Sequence, residues 1–136
     1  REVSAAPMAR TPPLYSPELL ALATGLADYP FEAPLPLRAE ARSRTCGSTI
    51  AIDFALGHDG LVERVGMQVS ACAIGQASAA LLARACLAVE PEHIARVADG
   101  LTQWLAGEDD LPDWPGLAAL APARAHPGRH GALLLP

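Results

Sequence analysis

The chain has 136 residues, a formal net charge of −5 and 10 basic residues, all of them arginine. That length fits one domain, and a hydrophobic fraction of 51% is enough for a single core. The acidic balance, with arginines scattered from Arg1 to Arg129, lacks the basic patch that nucleic-acid binding needs, and three cysteines without a signal-like or membrane-length apolar run argue against a disulfide-framed secreted domain and a membrane protein.

Residues 1–13 are polar and proline-bearing and are expected to form a disordered leader, with one domain over 14–136. The first helix has a clear start: Ser16 as N-cap, Pro17 at the first helical position and Glu18 in the first turn. Leu19, Leu20, Leu22, Ala23 and Leu26 fall on one stripe, so the helix is expected from Pro17 to about Ala27. Pro30, Pro34 and Pro36 mark a loop. Over residues 37–44, Leu37, Ala39, Ala41 and Ser43 alternate with Arg38, Glu40, Arg42 and Arg44, which predicts a strand with one charged, solvent-facing side.

A hairpin follows. Ile50, Ile52, Phe54 and Leu56 alternate with smaller or polar residues, the Asp59-Gly60 pair signals a turn, and Val65, Met67 and Val69 continue the period. The expected sheet is an antiparallel meander of residues 37–44, 49–57 and 61–70. Three helices are expected to cover it: the first one, an Ala/Leu-rich run from Ala73 to Val89, and a run opened by Pro91 that carries Ile94, Val97, Ala98, Leu101 and Leu105. Asp113 is a candidate cap for a short turn around Trp114. The fold class is therefore α+β, a three-stranded antiparallel sheet covered by helices.

Hairpin pairing has a chemical consequence. If residues 56 and 61 flank the turn, Cys46 falls opposite residue 71 and beside Cys72, with the Cα atoms roughly 5 Å apart across the ladder. Cys72 also precedes a helix, and a thiol at a helix N-terminus has its thiolate form stabilised by the dipole and by free backbone N–H groups. Two such cysteines beside small residues suit a soft metal or sulfur chemistry. Cys86, fourteen positions along the same run, would stand about 21 Å from Cys72 at the helical rise, too far to share a ligand sphere. It reads as a small core residue.

The order of these elements, with Thr45-Cys46-Gly47-Ser48, then Ala71-Cys72-Ala73-Ile74-Gly75-Gln76-Ala77-Ser78 at a helix start, then a closing Arg129-His130 and Leu-Leu-Pro, resembles the NifU/IscU/SufU-type iron-sulfur cluster assembly scaffolds. The resemblance runs from Tyr15-Ser16 to Pro136 and implies a SufE/NifU-like fold. The family's site resembles Cys-Gly-Asp, then Gly-Cys-Ala, then a third cysteine near the C-terminus. Here Ser48 stands where the Asp belongs and Ala71 where the Gly belongs. Aligning Arg129-His130 and the Leu-Leu-Pro end puts Ala132 at the third cysteine and Gly131 before it.

The resemblance implies a non-enzymatic, cytoplasmic scaffold that accepts sulfur and iron at Cys46 and Cys72 and passes a [2Fe-2S] cluster or iron to apo-proteins, with a cysteine desulfurase as sulfur donor. Gly47, Ser48, Ala132 and Arg129 are the expected lining, and His130 is a further candidate ligand because imidazole suits iron and zinc. A cluster normally takes four protein ligands and two thiolates are present, so a homodimer, outside thiols or water would have to complete the sphere. Two other readings stand beside this one: a zinc-bearing persulfide acceptor using Cys46, Cys72 and His130, and a degenerate scaffold that keeps only a partner-binding role.

Overall fold

The computed structural model describes residues 15–31, 35–44 and 47–136. The expected leader therefore lies outside the described residues.

Ser16 has an extended backbone and its Oγ accepts a hydrogen bond from the Leu19 N–H at 3.1 Å, so helix α1 (Pro17–Gly25) begins as its cap and proline dictate. The chain then tightens into a 3-10 turn, Leu26–Asp28, which replaces the last turn of the expected helix. Leu19, Leu22 and Ala23 are buried, whereas Leu20, expected on the same stripe, is 46% exposed. After the turn, the Tyr29 carbonyl accepts from the Met67 N–H at 2.8 Å and the Leu35 N–H donates to Asp53 Oδ2 at 3.1 Å, which ties the following segment to the sheet.

The sheet is antiparallel with strand order β1 (Leu37–Arg42), β2 (Thr49–Leu56), β3 (Val62–Ser70). Ile50, Ile52 and Met67 form one buried cluster with Ala79 and Ala83 of the helix that crosses them. Two expectations are corrected here. Thr49 faces Ser70, two positions further along β3 than a turn flanked by residues 56 and 61 would put it. The reason lies in the connection: Gly57 N–H donates to Leu61 O, Gly60 N–H to Gly57 O and Leu61 N–H to Asp59 Oδ1, and a bulge at Ala55/Leu56 takes up one more residue. A shift of two keeps every side chain on its expected face. The second correction concerns β1, which is exposed along its whole length. The helices lie over β2 and β3, so Leu37 stays 48% exposed.

Helix α2 (Ala73–Ala85) starts at Cys72 and is capped by Cys86, ending before the expected Val89. Ala88 takes a left-handed φ of 64° and the chain rejoins the sheet, with Ala88 N–H donating to Val62 O and Val62 N–H to Val89 O. Four alanines of α2 (Ala77, Ala79, Ala80 and Ala83) are fully buried, which lets α1 and the sheet approach closely. Helix α3 (Pro91–Leu105) opens on its proline as expected and buries Leu101 and Trp104.

The next turn is set by Gly116, not by Asp113. Gly116 has φ 84°, and a Cβ there would meet Leu81 Cδ2 at 2.5 Å, so any other residue before the 3-10 segment Leu117–Ala125 would be strained and would push Leu81 aside. Trp114 is buried beside it and donates its indole N–H to the Leu81 carbonyl at 2.9 Å. Helix α4 (His130–Leu134) closes the core with Ala132 and Leu133 buried, clamped to α2 where Ser78 Oγ donates to the Leu133 carbonyl at 2.6 Å. Among the described residues, no helix is long and apolar enough to cross a membrane.

Candidate functional site

The Thr49↔Ser70 pair ends the β2/β3 ladder. From that edge the chain leaves toward two cysteines, backward through Ser48 and Gly47 and forward through Ala71 to Cys72. The backward path is a tight connection to β1, in which Ser43 N–H donates to Ser48 O at 2.8 Å and Gly47 N–H to Ser43 O at 3.1 Å. Ser48 is 4% exposed and Gly47 has φ 71°. Thr45 and Cys46 lie outside the described residues, so the expected approach of the two thiols falls there as well.

Cys72 is the N-cap of α2, with an extended backbone (φ −67°, ψ 172°) and a free thiol that makes no capping hydrogen bond. Its carbonyl accepts from the Gln76 N–H at 2.9 Å, while Gln76 Nε2 donates to the Ala71 carbonyl at 2.9 Å and ties the strand exit to the helix start. The half-buried thiol therefore stands beside backbone N–H groups of the first turn that have no intrahelical acceptor. Such a place favours bound anions.

Ala132 packs on the same turn. A Cβ added at Gly75 would lie 3.4 Å from the Ala132 Cβ and 2.7 Å from the Ala71 Cβ. Gly75 is three residues from Cys72, about 5 Å along the helix axis. The position aligned with a third cysteine thus sits one helical turn from Cys72, although Ala132 itself is fully buried. Gly75 and Gln76 were not among the expected site residues. Their roles depend on α4 docking and on a side-chain bond to the preceding strand, neither of which has a signature in spacing.

His130 and Arg129 begin the same short helix. His130 Nε2 lies 2.9 Å from the Arg124 carbonyl. A carbonyl only accepts, so in a neutral ring that nitrogen carries the proton and Nδ1 is the one left for a metal. Arg129 is half-buried, and its Nε is buried without a hydrogen-bond partner. Among the described residues, no three His, Cys, Asp or Glu side chains are grouped to hold a metal ion.

Cys86 stands apart from this chemistry. It is fully buried, its thiol lies 3.6 Å from the Ala83 carbonyl, and burial pushes its pKa up from 9.0 to about 11. The folded state therefore holds the Cys86 proton more tightly than the unfolded chain. This contribution to stability is constant below pH 9, is lost as pH rises from 9 to 11, and is gone above that window. Chemical denaturation across that pH range should show a decline in wild type that Cys86→Ala lacks. At neutral pH, maleimide should label Cys72 well ahead of Cys86 in the folded protein; equal rates would contradict the burial argument.

No family model matches the chain, and no curated protein matches it. Solved structures do. The chain is similar to the N-terminal part of a nitrogen-fixing NifU-like protein from Brucella abortus, at 26% identity and a TM-score of 0.82, over 90% of this chain and 85% of that one. A putative iron-sulfur cluster assembly scaffold protein for the SUF system from Fervidobacterium islandicum AW-1 shares the fold at 16% identity and a TM-score of 0.75, covering 90% of each chain. A hypothetical protein shares it at 17% identity and a TM-score of 0.60, over 86% of this chain and 89% of its own.

Proposed function

We propose that this chain is a member of the NifU/IscU/SufU-type scaffold family, which its likeness to the NifU-like domain supports, and that it accepts sulfur and iron at Cys46 and Cys72 and hands them on as a [2Fe-2S] cluster to apo-proteins. The observation that carries this reading is the free Cys72 thiol at the start of α2, one turn from the Ala132 position, in a fold shared with the NifU-like domain. Sulfur arrives by thiol exchange. A thiolate at Cys72 or Cys46 attacks the outer sulfur of a cysteine desulfurase persulfide; a new S–S bond forms on the scaffold and the desulfurase cysteine leaves as its thiolate. An external reductant, such as a pair of small thiols that become a disulfide, then supplies the two electrons that release each sulfur as sulfide.

The protein acts by binding and transfer, without turnover of its own, as one domain over residues 14–136. A reducing cytoplasm suits it, because both thiols must stay free between deliveries. Each chain offers two thiolates, so the other two ligands of a cluster come from small thiols or from a second chain. Arg129, at the head of α4, is the candidate partner for an anionic persulfide or a partner carboxylate, and His130 Nδ1 is a further candidate nitrogen ligand.

Restoring the family's ligands tests the reading at positions outside the two thiols. Ser48→Asp combined with Ala132→Cys should raise cluster retention within one chain by about tenfold or more, the scale on which metal sites respond to their ligands and supports. The readout is visible absorption after anaerobic reconstitution and desalting, with gel filtration to report the oligomeric state. Zinc content without colour in wild type would favour the persulfide-acceptor reading. No metal and no sulfur uptake would favour the degenerate scaffold.

A further inference from the structure

Among the described residues, strand β1 pairs with β2 on one side only, and the edge it leaves open is complementary to itself. All six of its residues are exposed, so neither face is covered by a helix. On the face it shares with Ile50 and Ile52, the strand offers Leu37, Ala39 and Ala41; on the other it offers Arg38, Glu40 and Arg42. Monomeric proteins usually blunt such an edge with a proline, a bulge or charged side chains; charges of both signs leave a register in which they attract one another. Here the register runs unbroken from Leu37↔Phe54 to Arg42↔Thr49, no proline interrupts it, and the charges alternate in sign.

We propose that β1 pairs with β1 of a second copy of this chain about a two-fold axis centred on Ala39, joining two three-stranded sheets into one of six strands. A two-fold axis normal to the sheet keeps each face on its own side, so charged residues meet charged ones and apolar residues meet apolar ones. The charges then select the register. Centring on Glu40 sets Glu40 against its own copy and Arg38 against Arg42, and like charges directly opposite are destabilising. Centring on Ala41 sets Glu40 against Arg42 twice, but also Arg38 against Arg44 twice, so its attractions are offset by repulsions. Centring on Ala39 sets Arg38 against Glu40 twice, replacing the 3.2 Å ion pair that the two now make within one strand. It also sets Leu37 against Ala41 twice, covering the one large apolar side chain of the strand, which is 48% exposed.

The arrangement needs neither thiol and stands apart from the cluster reading. It also separates the two thiol ends. Arg42 is three residues from the axis, so the two copies of that strand end lie about 20 Å apart along the strand direction and point away from each other. Each site would remain open to its own donor and recipient, and this dimer cannot provide ligands from both chains to one cluster.

Sedimentation equilibrium of the full chain in reducing buffer tests the pairing. Wild type should dimerise reversibly. Glu40→Arg should weaken the dimer by about tenfold or more, since both cross-strand attractions become repulsions. Exchanging the pair, Arg38→Glu with Glu40→Arg, should restore the affinity. Ala39→Cys should give a covalent dimer on mild oxidation, with peptide mapping assigning the new bond to residue 39 of both chains. A wild-type monomer at every concentration would overturn the proposal. So would a dimer indifferent to Glu40→Arg, or one lost only when Cys46 and Cys72 are replaced, which would place the contact at the thiol ends.

Discussion

Replacing Cys72 with serine should cut the cluster that the protein accumulates by at least tenfold and on the order of a hundredfold, because one of only two thiolates per chain is removed. Losing a group that merely supports a metal ligand typically costs 10–100-fold, and losing the ligand itself should cost no less. Folding should be little affected. Cys72 is an N-cap whose side chain makes no hydrogen bond to the helix, and serine is a preferred residue at that place. The control is Cys86→Ala, which removes a buried thiol from the far end of the same helix and should leave cluster formation unchanged. A Cys72→Ser protein as coloured as wild type would move the site elsewhere.

The second large effect is expected at Gly75. Substitution by alanine adds a methyl group 2.7 Å from the Ala71 Cβ and 3.4 Å from the Ala132 Cβ. Neither neighbour can rotate away, since both are Cβ atoms fixed to backbone. The strand exit, the first turn of α2 and α4 must therefore shift, and overpacking of this kind costs about 1–3 kcal/mol despite the better helix propensity of alanine. Chemical denaturation should show that loss, and any cluster formed should be retained less well, because the shift displaces Cys72 and α4 together. Unchanged stability would mean that α4 does not press on the helix start as described. Pairing Gly75→Ala with Ala132→Gly should recover part of the loss by opening the α4 side of the contact.

Much of this fold can be read along the chain. The Ser16-Pro17-Glu18 start, the alternation through Ile50, Ile52 and Phe54, and the proline opening α3 each act through a local rule, and each element forms where that rule puts it. The departures arise where a distant contact decides. The hairpin register was set by hydrogen bonds inside its loop and by a bulge, neither of which alternation encodes. Helix α2 ends early because Ala88 and Val89 bond to Val62 in the sheet, a partner 26 or more positions back in sequence. Strand β1 alternates as a half-buried strand should, yet all six of its residues are exposed.

The site divides in the same way. The Cys72 motif and the helix that follows are local, so the thiol at a helix start was legible. Ala132 could be assigned only by aligning the chain's last residues with a family pattern. Its contact with Gly75 depends on α4 docking through Ser78 and Leu133, which involves residues 55 positions apart. The engagement of His130 with the Arg124 carbonyl is likewise a product of the fold.

The most direct measurement is anaerobic incubation of the full chain with ferrous iron, cysteine, a cysteine desulfurase and a thiol reductant, followed by desalting and analysis for iron, sulfide and zinc. The expected result is visible absorption with iron and sulfide bound in equal amounts, as a [2Fe-2S] cluster requires, and loss of both in the Cys46→Ser, Cys72→Ser double variant. A colourless protein holding neither iron nor sulfide, or one whose iron survives the loss of both thiols, would contradict the assignment of Cys46 and Cys72 as the place where the cluster is built.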